Sequence, residues 1–273
     1  MIGAYFPQYP RWKDITIKQL LNMTSGIVNF TEDPLWIKNL NNNFQETWTS
    51  EQILDSAYQQ TDYFKPGQAW RYSNTNYILL GKIIENKTQQ PLAKIFESEF
   101  FKPLALKNSY YSDDKYSPEI LKRTAHGYDN NQDMTATILV KNVSNIGPPG
   151  GGMLMSTTDL EKWIGHLLIK KDIIPAKQLK EMLKGVAIPD NKLSLPHSTF
   201  GLGLGIARSP KLGEIISYAG TFPGYGSTFV WLPEKNILII VQMNVNRYDN
   251  DESSYLHFPS QELIQGVLHK FIK

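Results

Sequence analysis

The spacing of apolar residues changes near residue 200, and this change constrains the fold class. Before it, apolar residues recur at helical spacing. One such stripe consists of Tyr77, Leu80, Gly81, Ile83 and Ile84. After it, apolar residues alternate as they do in strands, in the segments 202–207, 214–218, 227–232 and 236–244, before a last helical pattern over 260–273. This order predicts an α+β fold, with an antiparallel sheet flanked by helices and a mainly helical region.

Length and composition favour one globular unit. The chain has 273 residues, 41% of them hydrophobic, and no low-complexity stretch divides it. We expect a single domain over 1–273, in which 14–200 is mainly helical and 201–273 holds antiparallel strands and a terminal helix. The most apolar segment, Ile237–Val241, is too short to cross a bilayer.

Charge and residue types exclude several classes of partner. Lys and Arg outnumber Asp and Glu only by 28 to 26, so neither nucleic acid nor an anionic membrane is indicated. The absence of cysteine excludes disulfides and thiolate catalysis. The histidines lack metal-ligand spacing, so we predict no metal and no cofactor. They are His126, His166, His197, His257 and His269.

Local signals place several helix ends. Thr16-Ile-Lys-Gln19 and Thr49-Ser-Glu-Gln52 have the capping-box spacing, in which a hydroxyl and a glutamine side chain satisfy free amides at a helix start. Thr158 is expected to cap a helix that runs to about Ile169, and Gly185 to close the helix over Pro175–Lys184. Pro233-Glu-Lys-Asn236 is typical of a hairpin turn.

Tyr72-Ser73-Asn74 directly precedes the stripe that begins at Tyr77. Two positions apart in an extended segment, Tyr72 and Asn74 point to the same side, where a carboxamide can donate to a substrate carbonyl. A phenol titrates near pH 10, so Tyr72 needs nearby cations to act as a base. The alternative interpretation is a buried, hydrogen-bonded tyrosine beside a helix-capping asparagine.

Several motifs together resemble the class C β-lactamase and D-alanyl-D-alanine carboxypeptidase family, which also includes related esterases. The most specific are Ile15-Thr-Ile-Lys-Gln-Leu-Leu21 with Thr24-Ser-Gly26, and Pro66-Gly67 followed by Tyr72-Ser-Asn-Thr-Asn-Tyr77 and Leu80-Gly81. The others follow in the family's order. They are Phe101-Lys-Pro-Leu104, Gly150-Gly-Gly152 with Ser156-Thr-Thr-Asp159, Phe200-Gly-Leu-Gly203 and Leu232-Pro-Glu234. The resemblance implies a β-lactamase/transpeptidase-like fold with Tyr72 and Asn74 as catalytic residues.

The resemblance also implies a substrate-binding strand, formed by Tyr218, Ala219, Gly220 and Thr221. It is similar to the strand that carries the family's Lys-Thr-Gly or His-Thr-Gly box. Gly220 lets a bound acyl group pass close to the strand, and the amide of Thr221 is expected to be an oxyanion donor. Tyr218 departs from the pattern because a phenol brings no positive charge. Its alternative interpretation is an aromatic residue on a half-buried strand.

The family's nucleophile box, Ser-x-x-Lys, has no counterpart before Tyr72. The one Ser-x-x-Lys of the sequence is Ser112-Asp-Asp-Lys115, which reads as a solvated loop. Ser25 and Ser73 have no lysine three residues on, so neither is expected to be the nucleophile. We therefore expect that the family's N-terminal strands and nucleophile helix are missing, and that the exposed sheet edge favours self-association.

These observations give two hypotheses about function. In the first, the full-length parent is a serine hydrolase that acts on β-lactams, peptidoglycan peptides or esters through an acyl-enzyme, and this chain is inactive without the nucleophile. In the second, the chain is a non-catalytic binding or interaction protein that keeps the cleft. The resemblance implies a periplasmic or extracellular location, although Met1–Pro10 has no signal-peptide pattern.

Overall fold

The structure is a computed structural model that describes residues 1–41, 48–111, 116–129, 131–136, 139, 151–188, 199–246, 264, 266–267 and 270. Its contacts divide the chain into two compact units. Unit 1 is Met1–Arg123 with Thr137–Met155, and unit 2 is Thr124–Ala136 with Ser156–Lys273. The expectation of one domain stays a prediction.

Unit 1 is mainly helical. Its helices are α1 (Ile17–Leu21), α2 (Pro34–Asn41), α3 (Ser50–Gln59), α4 (Asn74–Thr88), α5 (Leu92–Phe96) and α6 (Pro118–Arg123), and a π-helical turn, Glu97–Phe101, follows α5. Strand β1 (Ser109–Tyr110) pairs with β4 (Leu154–Met155). Both predicted capping boxes are confirmed, because Thr16 accepts from the amide of Gln19 and Thr49 from that of Gln52.

The core of unit 1 joins the N-terminal segment to α3 and α4. Trp12 is 1% exposed, and its indole donates to the carboxylate of Asp62 at 3.0 Å. In α4, Ile78 and Leu79 are fully buried, whereas Ile84 is 41% exposed. The predicted apolar stripe is therefore wrong at Ile84, because the buried face of α4 is centred on Ile78 and Leu79, which pack in one core cluster with residues of α1 and α3.

Unit 2 is built on a six-stranded antiparallel sheet with the order β10-β9-β8-β7-β6-β5. Its strands are β5 (Val186–Ala187), β6 (Thr199–Phe200), β7 (Gly205–Ser209), β8 (Gly213–Phe222), β9 (Tyr225–Leu232) and β10 (Ile237–Met243). A second sheet has the order β11-β2-β3, from Val245–Asn246, Tyr128–Asp129 and Gln132–Asp133. The predicted antiparallel order and the turn Pro233–Lys235, which ends at Asn236 with a φ of 53°, are confirmed.

Two helices of unit 2 pack on this sheet, and they correct two predicted caps. Helix α7 (Thr157–Ile164) begins after Ser156, whose side chain accepts from the amide of Asp159, so Thr158 is not the cap. A π-helical turn, Gly165–Lys170, extends it. Helix α8 (Ala176–Met182) ends at Leu183. Gly185 is not its cap; a side chain there would overlap Thr199 of β6, so close packing explains this glycine.

The described part of the C-terminal helical pattern is small. Residues 264, 266, 267 and 270 are helical, and the rest of 260–273 lies outside the described residues. Ile264 is fully buried in a core cluster with Val230 and Leu232, so this segment packs on the sheet at that point. Across the described ranges, no helix is long and apolar enough to cross a membrane.

Candidate active site

The Tyr72-Ser73-Asn74 segment brings a phenol and a carboxamide together at the start of α4. Ser73 is extended, with φ −147° and ψ 119°, and precedes the first residue of α4, Asn74. Tyr72 and Asn74 are half-buried, and the Tyr72 hydroxyl donates to Asn74 Oδ1 at 3.3 Å. The predicted placement of both polar groups on one side of the segment is thus what the structure shows.

The carboxamide of Asn74 has a second partner, Asn29, that the sequence did not reveal. Asn29 Oδ1 accepts from the backbone amide of Asn74 at 3.0 Å and from Asn74 Nδ2 at 3.3 Å. Ser73, the N-cap of α4, makes no side-chain cap. Asn29 therefore supplies the acceptor for the first amide of α4 from a segment 45 residues earlier.

Three buried polar residues next to Asn74 form further hydrogen bonds between the start of α4 and the chain that precedes Asn29. Ser73 and Thr75 both donate to the carbonyl of Val28, at 3.1 and 2.7 Å. Asn76 is fully buried, accepts from Ser25 Oγ at 2.8 Å and donates to the carbonyl of Leu20 at 3.1 Å. Ser25 and Ser73 are thus bound in structural hydrogen bonds.

A hydrogen-bonded chain leads from Asn29 to the surface of unit 1. The amide of Asn29 donates to the hydroxyl of Tyr63 at 3.0 Å, and that hydroxyl donates to Glu32 at 2.7 Å. Arg71 binds the same carboxylate at 3.0 Å, and its guanidinium lies 3.7 Å from the Tyr63 ring centre. Burial, with the hydrogen bond to Glu32, raises the pKa of Tyr63, so its phenol keeps its proton at neutral pH.

The four predicted substrate-binding residues lie within β8, in unit 2. Tyr218 is opposite Phe229 and Gly220 is opposite Ser227. The Tyr218 ring packs 6.1 Å from that of Phe200, at the border of a core cluster. Gly220 is exposed, and a Cβ added there would meet no described atom within 4 Å. The structure therefore gives no packing reason for glycine at 220.

Strand β8 continues beyond the end of β7. The pairing of β7 with β8 runs from Ser209 opposite Gly213 to Gly205 opposite Ser217. From Tyr218 to Phe222, pairing continues with β9 alone among the strands that the structure describes. The backbone around Gly220 thus lies on a strand segment with one described neighbour.

Several sequence predictions fall outside the described residues. They are Ser112–Lys115, Gly150, His197, His257 and His269. His126 and His166 each lie beside one carboxylate, Asp133 at 2.6 Å and Asp172 at 2.9 Å. Within the part of the chain that is described, no group of three or more His, Cys, Asp or Glu is placed to hold a metal. That Tyr72, Asn74 and β8 contribute to one site stays a prediction.

Most of the chain is similar in sequence to known proteins. The family model described as Beta-lactamase matches residues 2–257. The chain is 25% identical over 245 residues to Penicillin-binding protein 4* of Bacillus subtilis (strain 168). The aligned region covers 84% of this chain and 51% of that protein. The chain spans about half the length, or less, of the curated relatives it matches.

Solved structures show the same fold. A D-stereospecific amidohydrolase from Streptomyces sp. superposes with a TM-score of 0.79 and 26% identity, over 96% of this chain and 76% of that one. The D-amino acid amidase from Ochrobactrum anthropi SV3, complexed with D-phenylalanine, gives a TM-score of 0.80 and 24% identity, over 98% and 75% of the two chains. The described architecture is therefore that of β-lactamase/transpeptidase-like proteins.

Proposed function

The chain belongs to the beta-lactamase family, and from that premise we propose that it is part of a penicillin-recognising serine hydrolase that works through an acyl-enzyme. Its substrates are β-lactams, peptidoglycan peptides or esters. The names of the structurally similar amidohydrolase and amidase add D-amino acid amides as an acyl donor to test. All four present a carbonyl that a serine attacks, and all require a stabilised oxyanion.

The observation that carries this proposal is the hydrogen bond from Tyr72 to Asn74 Oδ1 at the start of α4. In the proposed mechanism the Tyr72 phenol exchanges a proton with the nucleophile and the leaving group, and a nearby cation is required to favour its phenolate form. The Asn74 carboxamide donates to the substrate carbonyl and holds it in place.

The proposed nucleophile is the serine of a Ser-x-x-Lys box supplied by sequence outside the 273 residues. Ser25 and Ser73 do not suit that role, since they are 2% and 0% exposed and their hydroxyls donate to Asn76 and Val28. In β8, the open space at Gly220 supports the passage of an acyl group, with the amide of Thr221 as an oxyanion donor. Tyr218 and Ala219 precede Gly220 in β8 and are proposed to contact the substrate as well.

A chromogenic cephalosporin and a fluorescent penicillin test the proposal. The 273-residue chain is expected to hydrolyse neither, whereas a protein extended upstream to its Ser-x-x-Lys is expected to become labelled and to turn over. In the extended protein, Tyr72→Phe is expected to slow acylation about 100-fold or more. Serine-to-alanine substitution in the box is the control. An extended protein that is folded but inert would contradict the proposal.

A second candidate function is a non-catalytic binding protein. It is favoured by Tyr218, which stands where the family's box has Lys or His and brings a phenol without positive charge, packed on Phe200. This candidate requires that a D-alanyl-D-alanine peptide binds in calorimetry, that Tyr72→Phe leaves the affinity within about twofold, and that no acyl adduct forms. A covalent adduct in mass spectrometry would exclude it.

Location and assembly form part of the same proposal. A periplasmic or extracellular protein would meet peptidoglycan peptides and β-lactams directly. Self-association would run through β10, the terminal strand of the described six-stranded sheet. The first five residues of β10, Ile237–Val241, are all apolar. Sedimentation velocity over a hundredfold range of concentration tests this, and a monomer throughout would contradict it.

A further inference from the structure

Asn29 is the buried partner of the Asn74 carboxamide. Its side chain is in unit 1, the residue is 8% exposed, and its Oδ1 receives both the backbone amide and Nδ2 of Asn74. No sequence motif marks it. A polar side chain at this depth requires partners, and two of the hydrogen bonds that Asn29 Oδ1 accepts come from Asn74, the residue proposed to hold the substrate.

The chemistry of the contact fixes which way Asn74 faces. If the Asn74 carboxamide turned by 180°, its oxygen would meet the oxygen of Asn29, and two acceptors would face each other. The observed orientation instead directs Oδ1 to the Tyr72 hydroxyl and one N–H to Asn29. Among the described residues, Asn29 is the acceptor for Asn74 Nδ2, so the second N–H of that group is left for a ligand.

The main chain of Asn29 is also held in place by a hydrogen bond. Its backbone amide donates to the Tyr63 hydroxyl, and Tyr63 is fixed by Glu32 and by the guanidinium of Arg71 over its ring. The Asn29 carboxamide oxygen also lies 3.5 Å from the amide of Thr31. A residue held at both its main chain and its side chain can transmit a defined orientation to the group it binds.

We propose that Asn29 is a positioning residue, which fixes the Asn74 carboxamide with its oxygen toward Tyr72 and one N–H free for the substrate carbonyl. Its effect on catalysis rests on the proposed function, because it acts only through Asn74. The orientation itself does not depend on any activity, so it can be tested separately.

The structural test uses the 273-residue chain labelled with ¹⁵N. The side-chain amide signals of Asn74 are assigned by their loss in Asn74→Asp. Asn29→Leu removes the acceptor at similar volume, so these signals are expected to shift and to exchange faster with solvent. Asn29→Asp keeps an acceptor beside the start of α4 and is expected to preserve the slow exchange. Unchanged Asn74 signals in a folded Asn29→Leu variant would overturn the proposal.

The kinetic test uses the protein that carries its Ser-x-x-Lys, with the chromogenic cephalosporin as probe. Asn29→Leu is expected to lower kcat/KM about tenfold, and Asn29→Asp by no more than about twofold. In an Asn74→Ala background, Asn29→Leu is expected to add less than about twofold, because the group that it orients is gone. Multiplying effects in the double variant would show a merely structural role and overturn the proposal.

The matched control is Asn22→Leu. Asn22 is a buried asparagine of the same unit, 6% exposed, and its carboxamide lies 2.7 Å from Thr24 Oγ1 rather than against Asn74. Its substitution is expected to lower the melting temperature and to leave the Asn74 signals in place. A wild-type extended protein without hydrolysis or labelling would refute the proposed function, and the ¹⁵N experiment would still decide the role of Asn29.

Discussion

The segment around Asn74 and the segment around Gly220 differ in how their polar groups are satisfied. Around Asn74, carboxamides and hydroxyls bind one another and the main chain, and Ser73, Thr75 and Asn76 are fully buried. Gly220 itself is exposed, and no described atom lies within 4 Å of the position that a Cβ would take there. In the first segment most polar groups are hydrogen-bonded to neighbouring residues, and in the second the main chain at Gly220 is accessible.

This difference fits two roles in the proposed acyl transfer. Groups that exchange protons or orient a carbonyl must hold one geometry before the substrate arrives, which a saturated network provides. Main-chain donors for an oxyanion need no side chain, but they need access. Four substitutions test the difference, in order of decreasing effect on free energy.

Gly26→Ala is expected to destabilise the chain by about 3 kcal/mol. Gly26 has a φ of 80°, and an added Cβ would overlap the carbonyl oxygen of Phe64. Gly220→Ala is the matched control, because its Cβ meets no described atom within 4 Å; its expected cost is within about 0.5 kcal/mol. Urea denaturation measures both. Equal losses would remove the distinction between the two segments.

Asn76→Ala is expected to cost about 2 kcal/mol, because it leaves the Ser25 hydroxyl and the Leu20 carbonyl buried without their partner in α4. Asn86→Ala, at an exposed position of the same helix, controls for helix propensity. Denaturant midpoints that move equally for the two variants would mean that the network adds nothing to stability.

Gly220→Leu is expected to slow acylation by a fluorescent penicillin about tenfold in the protein that carries its Ser-x-x-Lys, a change of about 1.4 kcal/mol in the barrier. The added side chain would occupy the space proposed for the acyl group. Stopped-flow labelling measures the rate, and the melting temperature is expected to stay unchanged. Acylation at the wild-type rate would separate Gly220 from the site.

Tyr63→Phe is expected to have the smallest effect, about 1 kcal/mol. It removes the hydroxyl that accepts from the amide of Asn29 and donates to Glu32, while the ring stays beneath the Arg71 guanidinium. The Asn74 side-chain signals are expected to broaden without shifting to a new position. A stability loss above that of Asn76→Ala would place the main support of the network at its surface end.

Local features were predictable from the sequence. The capping boxes at Thr16 and Thr49 and the turn ending at Asn236 involve neighbours within four residues, and all three are confirmed. The antiparallel strands followed from alternation. The predicted caps Thr158 and Gly185 were wrong because several residues near each helix end could cap it. Ser156 caps α7, and packing against β6 explains Gly185.

The support of the candidate site was not predictable in the same way. Tyr72 and Asn74 are two residues apart, so their spacing alone indicated a shared side. Asn29 contacts Asn74, which lies 45 residues later in the chain. The contact consists of hydrogen bonds, and hydrogen bonds leave no periodic pattern in the sequence as apolar contacts do. An asparagine between a Thr-Ser-Gly segment and an aromatic residue carries no signal that separates it from an ordinary loop residue.

The cap that Asn29 provides for α4 has a consequence for protein engineering. A designer who grafts Tyr-Ser-Asn alone onto another helix start would transfer the residues without their geometry. The graft should contain two segments, Ser25 to Phe30 and Tyr72 to Asn76, together with the hydrogen bonds that join them.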